Sequence, residues 1–217
     1  MSRIAENSTR GSLDEQRESP TIGNTEEPGT KPLFDPERLA YLEVAGWRAY
    51  YDKAWPRMLR LLVQLTHEQF SLTWPRAVQG AYCVLRASIA WKPIDHDLRV
   101  VRRYLRKFYT LAYRHGRPLG FDPKDVADKE LRYWIVSRKY SSTPWREDSP
   151  LINTMTDLHA ALFNITPDAA RPSGWGRARS LHVVGSISSG RSTDLERDWE
   201  LAERYLREGY QSLLAEI

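Results

Sequence analysis

From Asp35 onward, apolar side chains recur every three or four residues, the spacing that sets one face of an α-helix against a core. Leu195, Trp199, Ala202, Leu206, Tyr210 and Leu213 are the clearest case. The starts of such runs are marked by a short polar residue followed by proline: Asp35-Pro36, Asp122-Pro123, Ser149-Pro150 and Thr166-Pro167. The first side chain of each pair can accept from an orphan amide of the first turn, and proline at the first helical position gives up an N–H that had no partner. Trp55-Pro56 and Trp74-Pro75 mark two further starts, and Asp95 is the expected cap of another. The pattern predicts helices over about 36–53, 55–70, 74–91, 96–115, 123–140, 150–163, 174–188 and 194–215. Strand-type alternation is confined to Leu181-His182-Val183-Val184. The fold class that follows is all-α: a single-domain bundle of about seven to eight helices over residues 34–217.

One segment predicts the layout of that bundle. Between Ala77 and Trp91 nearly every position is apolar or small, and a helix apolar on all sides is one surrounded by others. This helix is therefore expected at the centre, with Leu42, Val44 and Trp47 and the Trp134-Ile135-Val136 run packed about it. Residues 1–33 have the opposite character, with Ile4, Leu13, Ile22 and Leu33 as their only large apolar side chains. Such a segment buries too little to offset its ordering entropy, and a disordered tail is predicted.

Composition adds charge and location. The chain of 217 residues carries a net +4, and residues 1–33 hold six acidic against four basic side chains, which leaves +6 on the remainder. A single cysteine excludes a disulfide framework and a cysteine-based metal site. No stretch approaches the length of an apolar membrane span, and the N-terminus lacks the apolar core of a signal peptide. A cytoplasmic protein without a transmembrane segment is the expectation.

Three charges stand in apolar company. Arg86 is the only charge in the 77–91 helix, while Glu43 lies within Leu39–Trp47 and Glu130 just ahead of Leu131–Val136. A guanidinium cannot shed its proton, so a buried Arg86 needs an anion. The expectation is a pair between Arg86 and Glu43 or Glu130, serving helix register or the clamping of an anionic ligand, with His96 and Trp134 nearby. Asp95-His96-Asp97 sets an imidazole between two carboxylates at a helix start, where acids also suit the helix dipole. Asp157 and His159 are two residues apart and do not share a helix face.

Motifs for catalysis and metals are missing. No histidine is preceded three residues earlier by glutamate, as the di-iron bundles require, and His67-Glu68 lacks the second histidine of the zinc-protease helix. Gly185–Ser192 resembles a phosphate loop with arginine at the lysine position, but the following 25 residues read as helix, so a helix stop at Gly190 and a capping box at Thr193–Glu196 is the better account. Cys83 lies in the apolar 77–91 helix and is expected to be an inert small hydrophobe. No metal ligand or catalytic residue is implied, and the sequence leaves any cofactor unknown.

The strongest charge pattern is on the fourth helix. Arg99, Arg102, Arg103, Arg106, Lys107, Arg114 and Arg117 occur with no acidic residue between Leu98 and Leu119, opposite a stripe of Leu98, Val101, Leu105, Phe108 and Ala112. A basic amphipathic helix of this kind fits an acidic protein or another anionic partner. Nucleic acid meets the charge requirement as well, although no helix-turn-helix, zinc-finger or RNA-recognition motif accompanies it. The leading expectation is thus a non-catalytic intracellular binding or scaffold protein acting through about 97–117. The alternative is a small-molecule-binding or enzymatic bundle with an aromatic-lined pocket in which Arg86 anchors an anion.

Overall fold

The computed structural model describes residues 32–141 and 143–217. The expected tail at 1–33 lies outside the described residues except for Pro32 and Leu33. Leu33 already packs on the core, and Phe34 is 2% exposed.

Eight helices follow: α1 (Pro36–Tyr51), α2 (Trp55–Phe70), α3 (Trp74–Trp91), α4 (Leu98–His115), α5 (Pro123–Tyr140), α6 (Pro150–Phe163), α7 (Pro167–Ser188) and α8 (Leu195–Leu214). There is no strand among the described residues. The caps behave as their chemistry dictates. Asp35, Asp122, Ser149 and Thr166 each accept from a first-turn amide, ahead of a proline at the helix start. Asp97, not Asp95, caps α4, accepting from the Arg99 N–H at 2.8 Å. α8 is capped by Asp194 itself, through the Arg197 amide at 3.1 Å. Gly190 takes a left-handed φ of +71° just past α7, so the phosphate-loop resemblance resolves into a helix end and a turn.

α7 begins seven residues earlier than the apolar pattern predicts and absorbs the Leu181–Val184 segment as helix. Pro172 and several glycines lower its propensity, but the small residues serve close packing. A Cβ on Gly174 would lie 2.4 Å from Thr156 Oγ1 on α6, and one on Gly176 would lie 2.7 Å from the Tyr205 carbonyl on α8. At Gly185 the same atom would meet the Ser141 carbonyl at 2.2 Å, so α7 also presses against the end of α5. Tertiary contact overrides local preference here.

The close backbone packing follows the chain, each helix lying against the next, and α8 returns to α1. The eight helices thereby close a ring. No helix occupies its middle, which corrects the expectation for 77–91. α3 is a wall of the ring: Ala77, Gly80, Ala81, Ala87 and Ser88 face inward, whereas Trp74, Val78, Tyr82, Arg86 and Ile89 are exposed. Ile135, expected around that helix, is exposed as well. The interior holds a main apolar cluster contributed by helices all round the ring and a smaller one among α1, α2 and α3. Between them lies a cavity.

Candidate functional site in the ring interior

The cavity has a volume of about 420 Å³, and every one of the eight helices lines it. The lining residues fall at helical spacing. α1 offers Glu43, Gly46, Trp47 and Tyr50; α5 offers Glu130, Tyr133, Trp134, Ser137 and Arg138; α7 offers Arg177, Leu181, Val184 and Ser188. One face of each helix therefore turns to the interior, as residues three and four apart must. At one end the lining is buried, with Glu43, Tyr109, Tyr133, His159 and Tyr210. Toward the other it includes the exposed Tyr51, Arg138 and Ser188, so the cavity reaches the surface there.

Two polar groups of different character occupy the buried end. In the first, Arg177 forms an ion pair with Glu43, and the Tyr210 hydroxyl donates to the same carboxylate oxygen at 2.9 Å. Arg177 also reaches the Tyr210 oxygen at 3.3 Å, and its guanidinium lies over the rings of Trp47 and Tyr133 at 5.5 and 5.6 Å. Burial is the largest single influence on Arg177 and opposes its charge, but Glu43 together with the Tyr133 and Tyr210 hydroxyls outweighs it and holds the guanidinium firmly protonated. The Nε of Arg177 is a buried donor that finds no hydrogen-bond partner among the described residues. In the second group, Glu130 accepts from Trp134 Nε1 at 2.6 Å and from the Tyr109 hydroxyl at 3.3 Å. Burial raises its pKa against the lowering effect of Arg177 and of the Trp134 bond. Tyr109, Tyr133 and Tyr210 are all raised, chiefly by burial, and stay neutral donors.

His159 completes the buried end and is only 5% exposed. Its Nδ1 lies 2.7 Å from Ser173 Oγ, and that hydroxyl donates to the Ala170 carbonyl at 2.8 Å. The Ser173 hydroxyl thus lies within hydrogen-bond reach of both the imidazole and the Ala170 carbonyl and joins α6 to α7 at this point. Burial and then the nearby Arg177 charge lower the imidazole to about 3, so it is a neutral acceptor at physiological pH.

The mouth is aromatic. Arg138 lies over the Trp91 ring at 4.0 Å, and its Nη2 donates to the Trp91 carbonyl at 2.6 Å. Its Nη1 reaches the Pro93 carbonyl at 3.1 Å and His96 Nδ1 at 2.9 Å. Trp134 stands 5.9 Å from Trp91, ring centre to ring centre.

Of the residues singled out from sequence, Glu43, Glu130 and Trp134 line this cavity, and His96 packs on Trp91 at its rim. Arg86 does not join them. It is exposed on α3, where it donates to Tyr82 Oη at 2.9 Å and lies over the Tyr104 ring at 5.2 Å. The partner of Glu43 is Arg177, a residue the sequence reading passed over. Its signal was present: Arg177, Leu181 and Val184 repeat at helical spacing within the helix expected over 174–188. No group of three or more His, Cys, Asp or Glu side chains converges among the described residues.

The basic helix face is real but partly neutralised. Arg102 and Arg106 both pair with Asp128 of α5, at 3.0 and 2.8 Å, and Arg99 with Asp97 at 3.4 Å. Arg103 and Lys107 lie over the Tyr104 ring at 5.3 and 5.6 Å. Among the described residues no ion pair holds Arg103, Lys107 or Arg114. No described helix is long and apolar enough to cross a membrane. Comparisons with protein-family models, with curated proteins and with solved structures found no match, and the functional reading therefore rests on the geometry of this chain.

Proposed function

We propose that the chain is a small-molecule-binding helical bundle whose ligand site is the ring interior. The observation that carries this is Gly46. Glycine inside a helix is less stable than alanine by roughly 0.5–1 kcal/mol, and is usually retained where a neighbour leaves no room for a side chain. Gly46 has no such neighbour: it lines the cavity, and a Cβ built on it meets no protein atom within 4 Å. The position keeps space that packing alone would fill. Glu43, Glu130, His159 and Arg177 set a few polar side chains among the apolar and aromatic ones of the same wall, the arrangement typical of ligand pockets. Gly46→Leu tests the reading. Native mass spectrometry of wild-type protein purified from its own host is expected to show a retained small molecule, and the Leu variant, equally folded by circular dichroism, is expected to lack it. A retained molecule unaffected by Gly46→Leu would refute the site.

A second reading is favoured by the unpaired cations Arg103, Lys107 and Arg114, which suit an acidic partner on the outer face of α4. Changing these three to serine is expected to abolish retention on a polyanionic column at moderate salt while leaving the cavity ligand in place. Unchanged retention would remove this reading.

A further inference from the structure

The interior charges do not balance. Away from the mouth, the cavity lining holds one guanidinium, Arg177, against two carboxylates, the buried Glu43 and the partly buried Glu130. Arg177 is committed to Glu43, with which it forms the closest ion pair in the interior, and to Tyr210. Among the described residues Glu130 receives only neutral donors, the Trp134 indole and the Tyr109 hydroxyl, and forms no ion pair. Arg138 also belongs to the lining, but its guanidinium is exposed at the mouth, where water screens it, and it is held by the carbonyls of Trp91 and Pro93.

We infer that the cavity takes a molecule bearing a protonated amine on an aromatic or apolar body, with Glu130 as the counter-charge and the surrounding indole and phenol rings as the wall. This rests on the cavity being a ligand site. The geometry suits a cation in two ways. A carboxylate removed from bulk water strongly favours a positive partner, and the rings that surround it present faces that attract cations. The rings of this wall already do so toward the chain's own charges: Arg177 lies over Trp47 and Tyr133, Arg138 over Trp91, and Lys92 over Tyr50 at 4.7 Å. Trp134 and Tyr109, the two donors to Glu130, carry no such cation among the described residues.

Proton linkage gives a second signature. The groups that act on Glu130 are Arg177 of α7, Trp134 of its own helix, Glu43 of α1 and Tyr109 of α4. Burial holds its carboxyl above the ordinary range, and an ammonium beside it lowers it again. Amine binding therefore tightens as pH rises through the Glu130 titration and releases a proton below it.

The test uses three indoles of one shape, tryptamine, tryptophol and indole-3-propionate, measured by titration calorimetry against the full chain and its Glu130→Gln variant. Tryptamine is expected to bind wild type roughly tenfold to thirtyfold tighter than tryptophol, with indole-3-propionate weakest. Glu130→Gln keeps the side-chain shape and is expected to erase the preference for tryptamine over tryptophol while still binding the alcohol. The series on wild type stands even if the variant fails to fold. Tightest binding of indole-3-propionate, with loss in Arg177→Met, would overturn the charge assignment and leave the cavity as a ligand site. Failure of all three indoles to bind would overturn both.

Discussion

Arg177→Met is the perturbation that most directly weighs the buried polar core. Methionine keeps the apolar stem and most of the volume but removes the ion pair to Glu43, the contact with the Tyr210 oxygen and the stacking on Trp47 and Tyr133. What remains is a Glu43 carboxylate that is 8% exposed and bonded only to the Tyr210 hydroxyl. Breaking a buried pair by removing one partner costs about 3–5 kcal/mol, because the other charge is left without compensation. For a domain of this size each kcal/mol moves the melting temperature by about 2–4 °C, so a loss of about 6–20 °C is expected. The double variant Glu43→Leu with Arg177→Met removes both charges together, and apolar replacement of a buried pair is often near neutral. Urea unfolding of wild type, both single variants and the double variant closes the cycle. The double variant is expected to recover about 2 kcal/mol or more relative to Arg177→Met alone. A cost below about 1 kcal/mol for each single variant, the range of exposed pairs, would mean that solvent reaches this pair freely and that the buried end of the cavity is misassigned.

Three further outcomes follow from the same geometry. Gly46→Ala should raise stability by roughly 0.5–1 kcal/mol in urea unfolding, since its Cβ meets no protein atom within 4 Å. A loss would mean that the cavity is closed at this point. Gly185→Ala should do the reverse and lose about 1–3 kcal/mol or more, because its Cβ would meet the backbone carbonyl of Ser141 at 2.2 Å. His159 is lowered from 6.5 to about 3, so the unfolded chain takes up a proton that the folded one refuses. The stability this gives is fully present above the unfolded value and is lost as pH falls toward the folded one, by up to about 1.4 kcal/mol per pH unit. His159→Asn should flatten that part of the pH dependence between about pH 6 and pH 4, and an imidazole that titrates above pH 5 by proton NMR would contradict the assignment.

The helices were legible because their ends are marked locally. Asp35-Pro36, Asp122-Pro123 and Ser149-Pro150 name their caps by residue type alone, and α1, α2, α3, α5 and α6 begin where the sequence predicts. What could not be read is the ring. Its closure by α1 and α8 joins segments at opposite ends of the described chain, and nothing in either run specifies the other. α3 was misplaced for a related reason: an apolar side chain does not say whether it faces core or solvent, and Val78, Tyr82 and Ile89 face out. The same error carried Arg86 inward.

The site was half legible. Glu43, Glu130 and Trp134 declared themselves as polar groups at positions whose helical neighbours are apolar. Arg177 did not, because the residues around it, Ser173, Gly174, Gly176 and Ser180, are small and trace no apolar face in the sequence. Those glycines are needed where α7 meets Thr156 and Tyr205, a requirement visible only in three dimensions. His159 was noticed for Asp157, two residues away, whereas its partner is Ser173 across the α6–α7 junction.

The central claim, a ligand site in the ring interior, is tested most directly by fluorine NMR of protein labelled with 5-fluorotryptophan. Of the 8 tryptophans, Trp47, Trp91 and Trp134 line the cavity, whereas Trp55, Trp74, Trp145, Trp175 and Trp199 do not. Titration with tryptamine is expected to shift the lines of the first three, to leave the exposed Trp74 line unmoved, and to lose its effect in Gly46→Leu. Shifts confined to Trp74, Trp145 or Trp175, or shifts that persist in Gly46→Leu, would place binding on the outer surface and contradict the account.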